Sequence, residues 1–279
     1  MAAKTNPYHD PGKPHHRARG FQNNYEEFQP KSLSELLRWR RQAIRDRLPP
    51  PPLAPTPRVT PDLDWLHANA RAGARMTPAI TWVGHATVMA QIGGLTLLTD
   101  PMFSQRASPV PLMGPKRHTP AGIALPELPH VDMVLVSHNH YDHLDLPSVT
   151  ALTRQPGGPP LFVVPLGLKP WLATRNIRNA VELDWWDRHP LPGPRGEVEV
   201  ALVPAQHWSS RSPSDAMATL WGGFAVLAPD CHLLFAGDTG YSRDFADIRH
   251  HFSDRQAPEQ GGGFDIALIP MAPMRRAGS

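Results

Sequence analysis

The stretch Val134-Leu-Val-Ser-His138-Asn-His140-Tyr-Asp142-His143-Leu-Asp145 decides how this chain is organised. The apolar run over residues 131–136 predicts a buried strand, and a cluster of histidines and aspartates follows it directly. His138 and His140 are two positions apart, so an extended backbone points both side chains the same way. Zinc readily accepts imidazole nitrogens and carboxylate oxygens, and manganese or iron compete for them. The pattern therefore predicts a metal site at a strand tip rather than a polar loop that happens to be rich in histidine.

Length and composition allow one large α/β domain with an appended arm. The 279 residues contain a single cysteine, Cys231, which excludes an internal disulfide framework and a thiolate-based zinc site. No apolar run approaches the roughly 18 residues needed to span a bilayer, and the first residues lack the apolar region of a signal peptide. These features favour a cytoplasmic protein, with any membrane contact peripheral at the inner membrane surface.

Charge is unevenly distributed along the chain and marks residues 1–57 as a basic arm. The first 50 residues carry a local charge of +5, within a chain whose net charge is +3. We expect a polar, extended segment over 1–30, then a helix that begins at the capping box of Ser32 and Glu35, then a stiff Pro-rich linker. The arm could rest on anionic lipid or nucleic acid, although basic segments are more often solvated faces. Residues 58–279 form the predicted main domain.

Strand signals dominate after residue 79. Gly93-Gly94 predicts a tight hairpin between two β-prone runs. Paired strands followed by strands interleaved with helices predict two packed sheets with helices outside. Strands are predicted over residues 80–83, 87–92, 95–98, 131–136, 161–164, 197–203, 223–227, 232–235 and 264–269. Helices are predicted over residues 62–71, 146–153, 168–176 and 242–252.

Two further candidate ligands, His207 and Asp238, also stand where predicted strands end. Asp238 lies between Gly237 and Gly240, where the backbone can turn tightly. Taken singly, each would more often be an ordinary loop residue. Behind the 138–143 cluster they favour one site, because ligands on several strand tips converge only when those strands share a sheet edge.

A series of motifs surrounds these candidates, and together they resemble a known family. HxHxDH at residues 138–143 is typical of the metallo-β-lactamase superfamily as a whole. Phe103-Ser-Gln-Arg-Ala-Ser108 and Ala205-Gln-His-Trp208 resemble its branch of N-acylphosphatidylethanolamine-hydrolysing phospholipases D. Over roughly residues 5–270, the resemblance implies the α/β (α+β) class and a four-layer αββα sandwich. Further matching segments lie at 14–16, 82–87, 98–101, 114–117, 128–132, 221–224 and 237–241.

The resemblance also implies a dinuclear zinc site. The first zinc is held by three histidines, the second has its own aspartate and histidine, and one aspartate bridges both. A hydroxide shared by the two ions attacks the phosphodiester of N-acylphosphatidylethanolamine, giving N-acylethanolamine and phosphatidic acid. Asp142 and Asp238 are the implied catalytic residues, a phospholipid is the implied partner, and no nucleic acid is expected. The implied ligands are His138, His140 and His207, then Asp142 and His143, then the bridging Asp238.

Three other residues receive supporting roles. Asp100 ends its strand beside the site, and we expect it to orient a ligand imidazole. His85 is expected to be a packed, hydrogen-bonded histidine around the ligands, with direct metal ligation as the alternative. Tyr141, inside the motif, is a candidate substrate contact, and a packing role fits its position equally well.

The last residues depart from the family pattern. After Ile269-Pro270 the family continues with Gly-Ala-Tyr and a segment supplying a last histidine to the second metal, whereas this chain reads Met271-Ala-Pro-Met. A frameshift within that motif is our hypothesis. It implies a C-terminally truncated domain, a second sheet incomplete at the C-terminus, exposed apolar faces over 264–269, a weakened second zinc site and reduced activity. The rival functions are a lactonase or nuclease of the same superfamily, or a catalytically impaired fragment that binds one metal or a lipid surface.

Overall fold

In the computed structural model, which describes residues 5–27, 33–46, 56–110, 112–212, 214–256 and 262–271, two β-sheets pack face to face. Along the chain, helices alternate with strands, most regularly over residues 133–183. In chain order the elements are β1 (His16–Arg17), β2 (Gly20–Phe21), α1 (Leu33–Arg45), α2 (Leu63–Arg71), β3 (Ala79–Gly84), β4 (Thr87–Ile92), β5 (Leu95–Thr99), β6 (Met133–Leu135), α3 (Leu146–Leu152), β7 (Leu161–Pro165), α4 (Leu168–Ala173), β8 (Ala180–Leu183), β9 (Arg188–Gly193), β10 (Gly196–Val203), β11 (Gly223–Ala228), β12 (Cys231–Phe235), α5 (Asp244–His251) and β13 (Ile266–Leu268).

The first sheet has six strands in the order β3-β4-β5-β6-β7-β8. β3, β4 and β5 are antiparallel, whereas β5 to β8 run parallel, so the carboxyl ends of those four strands share one edge. Gly93 and Gly94 form the β4–β5 turn with φ of 63° and 82°. Both values lie in the left-handed region that favours glycine, as the hairpin prediction requires. The second sheet has the order β13-β12-β11-β10-β9, in which only β12 and β13 are parallel.

The space between the sheets is filled by apolar side chains from both. Leu97, Met133 and Val163 project from the first sheet, and Val200 and Phe224 project from the second; all are fully buried. Burial of such side chains removes apolar surface from water, which is the main stabilising contribution to a two-layer core. The two sheets thus share one hydrophobic core.

Helices cover the outer faces of both sheets. α2, α3 and α4 pack on the first sheet through Leu66, Val149 and Leu172, and α5 packs on the second through Ile248. Asp62 caps α2, since its side chain accepts a hydrogen bond from the Trp65 backbone amide. The layers are therefore helix, sheet, sheet and helix, and the predicted αββα sandwich of the α/β class is confirmed.

Within the two large sheets, the sequence patterns do not predict strands β8 and β9. β9 contains Pro190 and Pro192, which lack the N–H that a sheet ladder uses and argue against a strand. The structure places β9 at the edge of the second sheet, where it pairs only with β10. An edge strand tolerates proline because a nitrogen that faces away from the sheet has no partner to lose.

Residues 5–27 fold against the sandwich. The β1–β2 hairpin buries Phe21 in the core between the sheets. Asn6 Nδ2 closes this hairpin by donating to the Gly20 carbonyl, and Tyr8 donates its hydroxyl hydrogen to Glu182. The expected extended segment is therefore wrong over this range. Residues 28–32 and 47–55, which hold the capping serine and most of the Pro-rich linker, lie outside the described residues, and the predicted domain boundary after residue 57 stays a prediction.

At the other end of the described chain, β13 pairs in parallel with β12. Ile266 and Leu268 are half-buried against the core, whereas 54% of Ile269 is exposed. The predicted frameshift and its consequences for the sheet and the second metal concern residues 272–279, which lie outside the described residues. Within the described ranges, no helix combines the length and apolar character needed to cross a membrane.

Candidate metal centre

The predicted ligands come together at the carboxyl edge of the first sheet. β6 leads directly into the loop that carries the ligands between positions 138 and 143. β10 and β12 of the second sheet lead into the loops that carry His207 and Asp238. These six side chains form two neighbouring groups, one of three imidazoles and one in which carboxylates surround an imidazole.

In the first group, three imidazole nitrogens face one another. His138 Nε2 lies 2.8 Å from His140 Nδ1 and 3.2 Å from His207 Nε2, and His207 Nε2 lies 3.3 Å from His140 Nδ1. Tetrahedral ligand atoms about 2.05 Å from a zinc ion are about 3.3 Å apart, so these spacings fit a common cation. Such a cation would be held by donors that two different sheets deliver.

The proton positions around His138 also indicate a cation between the three imidazoles. Ser137 Oγ donates to Asp100 Oδ2 at 2.6 Å and lies 2.8 Å from His138 Nδ1. With its hydrogen already committed, the serine accepts from His138 Nδ1–H, which leaves His138 Nε2 unprotonated. Burial lowers the pKa of His138 well below its usual value, and burial lowers that of His207 to about 4. Neutral imidazoles whose bare nitrogens face one another repel unless a cation lies between them.

The second group surrounds His143. Its Nδ1 donates to Asp100 Oδ2 at 2.7 Å, while its buried Nε2 has no hydrogen-bond partner among the described residues. That Nε2 lies 3.3 Å from Asp238 Oδ2 and 3.7 Å from Asp142 Oδ2. The same Asp238 oxygen is 3.9 Å from His207 Nε2 of the first group. Asp238 therefore stands between the groups, in the position expected of a bridging ligand.

Without a metal ion, a proton on His143 balances these carboxylates. Burial opposes a charged imidazole, but Asp100 and Asp238 raise the pKa of His143 to about 10. Burial would raise the pKa of Asp142, yet the hydrogen bond from His85 and the charge of His143 hold it well below its usual range. A metal ion that binds Nε2 must displace the His143 proton, so metal affinity rises with pH.

Asp100 occupies the place expected of a residue that orients a ligand. It is fully buried, and its oxygens accept hydrogen bonds from the Ser137 amide, the Ser137 hydroxyl and His143 Nδ1. One carboxylate thus fixes the tautomers of two ligand imidazoles, His143 directly and His138 through the serine. The sequence reasoning missed Ser137, although its position immediately before HxHxDH was a usable signal.

Tyr141 is held by an arginine that the sequence reasoning also missed. The Tyr141 hydroxyl donates to the Arg211 carbonyl at 3.0 Å, and the Arg211 guanidinium lies 4.0 Å from the centre of the tyrosine ring. Arg211 also donates to the carbonyls of Asn139 and Leu144, at 2.8 and 2.7 Å. The arginine braces the ligand loop, but no sequence pattern distinguishes it from other loop arginines.

A cavity of about 850 Å³ opens beside the ligands. Its wall is both apolar and cationic, and His85, Tyr141 and Asp142 lie on it. The expectation that His85 is packed is wrong, because 48% of its side chain is exposed. No carboxylate among the described residues forms an ion pair with Arg58, Lys116 or Arg117, the Lys/Arg residues of this wall. The apolar lining residues include Trp82, Met102 and Trp208, and the basic ones are Arg58, Lys116, Arg117 and His118.

A second buried group of histidines and an aspartate lies at the end of β8; we call it the arm clamp. Asp184 accepts hydrogen bonds from His15 Nε2 at 2.7 Å, His16 Nε2 at 2.9 Å and Lys13 Nζ at 2.5 Å. The Asp10 amide donates to His16 Nδ1, so the proton of His16 resides on Nε2 and points at Asp184. These atoms are close enough together for a metal, but each is satisfied without one. The arm clamp therefore fastens residues 5–27 to the sandwich.

Comparison with known proteins agrees with the fold and this geometry. A family model described as a beta-lactamase superfamily domain matches residues 96–277, more than half of the chain. The chain therefore belongs to the β-lactamase superfamily, and the resemblance to its metallo-β-lactamase members is confirmed.

Two relatives are phospholipases by name. The chain is 36% identical over 197 residues to N-acyl-phosphatidylethanolamine-hydrolyzing phospholipase D 1 of Caenorhabditis elegans, covering 68% of this chain and 52% of that protein. It is 36% identical over 214 residues to the mitochondrial enzyme of that name from Saccharomyces cerevisiae, covering 75% and 43%. A UPF0173 metal-dependent hydrolase of Caldivirga maquilingensis is 27% identical over 197 residues, covering 69% of each. The chain spans about half the length of the first curated relatives it matches.

Proposed function

We propose that this protein is a metal-dependent hydrolase of the phospholipase D type, which cleaves N-acylphosphatidylethanolamine to N-acylethanolamine and phosphatidic acid with two zinc ions. The observation that carries the proposal is the convergence of six ligand side chains beside a cavity with apolar and cationic walls. Membership of the superfamily supports a hydrolase. Similarity to the two phospholipases supports the choice of substrate.

The ligand residues and the cavity wall have separate roles: the first hold the metal ions and the second binds the substrate. Bound zinc supplies an activated water and neutralises charge on the phosphoryl oxygens. Asp142 and Asp238 would hold the ions through their carboxylates, and Asp100 fixes the imidazole orientation. Every step at phosphorus therefore depends on side chains that the strand ends hold in place.

The cavity wall suits an anionic phosphodiester attached to apolar chains. Lys116 and Arg117 carry positive charge beside the ligands, and burial lowers the pKa of Arg117, with the charge of Asp145 opposing this shift. Such unpaired cations attract a phosphate oxygen. Trp82 and Trp208 line the same cavity and supply apolar surface to acyl chains. A phospholipid satisfies both kinds of wall at once.

The experiment is a comparison of three substrates with the purified protein. N-acylphosphatidylethanolamine in mixed micelles, a lactone and a single-stranded RNA are offered in parallel, before and after chelation and zinc restoration. We expect release of N-acylethanolamine, detected by mass spectrometry, that disappears on chelation and returns with zinc. Faster hydrolysis of the lactone or the RNA would contradict the proposed substrate. Zinc binding without turnover of any of them would favour the impaired-fragment alternative, and elemental analysis gives the stoichiometry.

Peripheral membrane contact through the basic arm is part of the proposal, and helix α1 carries it. Leu37 and Ile44 lie seven residues apart on one side of the helix, and both are more than half exposed. Arg38, Arg41 and Arg45 are exposed on the adjoining side. A basic amphipathic helix with exposed apolar residues is typical of binding to anionic lipid. The predicted cytoplasmic location at the inner membrane surface agrees with the single cysteine.

Vesicle co-sedimentation tests this contact. We expect the protein to bind vesicles containing phosphatidylglycerol and not vesicles of phosphatidylcholine alone. Leu37→Ser together with Ile44→Ser should release it from the anionic vesicles, because the apolar insertion is lost. Leu112→Ser, at an exposed apolar residue outside both the helix and the cavity, is the control. Equal binding by all three proteins would exclude α1 as the contact.

A further inference from the structure

We propose that His85 is a direct ligand of the second metal ion, which it shares with Asp142, His143 and Asp238. The inference rests on the proposed function only in requiring a metal ion at the His143 group; it is independent of the substrate. A purely supporting role for His85 is the interpretation that it replaces.

Donor spacing carries the first part of the argument. The donor atoms of His85, Asp142 and His143 all lie within 4.8 Å of one another. His85 Nε2 is 3.1 Å from Asp142 Oδ2, and that oxygen is 3.7 Å from His143 Nε2. These distances lie on either side of the ~3.3 Å expected between tetrahedral zinc ligands. A cation could take the place of the proton now shared by His85 and Asp142 with only small side-chain movements.

The donor count gives a second, independent reason. Without His85, the described residues around the buried Nε2 of His143 offer that imidazole and the carboxylates of Asp142 and Asp238. His85 raises the set to two imidazole nitrogens and two carboxylates, which are the donor types that zinc accepts. Its ring also stands beside the His143 ring, with centroids 5.1 Å apart. His85 supplies the fourth donor from the side of the cavity, whose wall includes both His85 and Asp142.

The backbone is shaped to present this imidazole. His85 lies in the tight β3–β4 turn with φ of 52°, a left-handed conformation that is unfavourable for a residue with a side chain. The preceding Gly84 also has a positive φ, of 142°, and the strand register shifts between Trp82 and Gly84. Trp82 Nε1 donates to the His85 carbonyl at 2.8 Å and holds the turn. The turn therefore fixes the backbone from which the imidazole reaches Asp142.

Two substitutions of His85 distinguish a role as a metal ligand from a role as a hydrogen-bond donor to Asp142. His85→Ala removes both capacities, whereas His85→Gln keeps an N–H that can reach Asp142 but replaces the imidazole with a poor zinc donor. His130→Ala is the matched control, because His130 is also half-exposed and also lies beside an aspartate, Asp132, away from the metal centre. Circular dichroism verifies that each variant is folded.

The measurement is zinc binding, not turnover. Metal-free protein is titrated with zinc against a competing chelator, elemental analysis gives the stoichiometry, and X-ray absorption of the zinc-loaded protein counts imidazole ligands. We expect two zinc ions in the wild type and in His130→Ala. Both His85 variants should bind the second ion at least tenfold more weakly, with the first unchanged, and should show fewer imidazoles per zinc.

The outcomes distinguish this inference from the proposed function. If His85→Gln binds two zinc ions with wild-type affinity and the wild-type imidazole count, His85 is not a ligand, while the dinuclear hydrolase still stands. If the wild type takes up no second metal, the dinuclear function and the inference are both overturned.

Discussion

The two buried histidine and aspartate clusters lie at the same sheet edge but are satisfied in different ways. In the arm clamp, Lys13 and two imidazoles donate to Asp184, so every proton has an acceptor. In the metal centre, the bare Nε2 of His138 faces other imidazole nitrogens, and Nε2 of His143 has no partner among the described residues. Residue types alone therefore do not separate a metal site from an ion-paired anchor. The two kinds of site are separated by the hydrogen-bond partner of the second ring nitrogen of each imidazole, because that partner shows which nitrogen carries the proton.

Removal of one histidine from each cluster should give the largest contrast. His207→Ala should lower turnover by on the order of 10³, since the metal contributes several kcal/mol and each ~1.4 kcal/mol is tenfold in rate. His15→Ala should keep zinc and turnover while lowering the free energy of unfolding by about 1–3 kcal/mol. Hydrolysis of N-acylphosphatidylethanolamine and urea unfolding provide the two measurements. Comparable loss of zinc from both variants would show that the arm clamp also holds metal.

The same substitution in the two buried aspartates should sharpen the difference. Asp100→Asn should weaken zinc binding about 10- to 100-fold, because the carboxylate accepts on both oxygens whereas the amide has one acceptor and turns its NH2 group towards a donor at the other position. Asp184→Asn should leave zinc affinity unchanged and lower the stability of the fold. Chelator competition gives the affinities. The contrast fails if Asp184→Asn weakens zinc as much as Asp100→Asn does.

The stability that Asp184 contributes should depend on pH with a definite sign. Burial would raise the pKa of Asp184, but hydrogen bonds from His15 and Lys13 hold it well below its usual range. A depressed pKa contributes stability above the unfolded value of about 3.9, and this is lost as the pH falls towards the folded value. The difference in urea midpoint between metal-free wild type and Asp184→Asn should be constant from pH 7 to about 5 and shrink below about 4. A difference that widens in acid would contradict the assignment.

The smallest change in zinc affinity is expected where the arm of residues 5–27 contacts the metal centre. Asn23 is buried in the arm, and its side-chain oxygen accepts from the His207 amide and from Trp221 Nε1, both at 3.1 Å. Asn23→Ala should weaken zinc binding by less than about tenfold, because it loosens the backbone of a ligand without removing one. Asn179→Ala, which removes exposed hydrogen bonds elsewhere, is the control. Unchanged zinc affinity in Asn23→Ala would mean that the arm and the metal centre are independent.

The ligand set was predictable because its residues are local or stand at strand ends. His138 to His143 form one motif behind an apolar run, and the parallel pairing of β6 with β7 follows from the helix predicted between them. The αββα layers follow from the alternation of strands with helices. Chemistry carried by strand tips is thus visible in sequence, because the fold brings tips to one edge.

Other parts of the site depend on contacts that sequence patterns do not contain. Arg211 braces the ligand loop from 67 residues beyond Leu144, and Asn23 reaches His207 across 184 positions. His85 is predicted to be packed and hydrogen-bonded; it does contact Asp142, but its tight turn exposes it to the cavity. These placements follow from tertiary packing, and only the folded chain reveals them.

The prolines of β9 have a consequence for how this protein behaves at high concentration. β9 pairs with β10 on one side, with Pro190 opposite Glu199 and Pro192 opposite Glu197, and no strand of the described residues pairs with its other side. Alternate residues of a strand direct their backbone nitrogens to the same side, and at both of these positions the nitrogen carries no hydrogen. A strand from another molecule therefore finds no donors there and cannot extend the sheet by regular pairing. The prolines that hide β9 from sequence patterns also protect this edge of the second sheet from edge-to-edge aggregation.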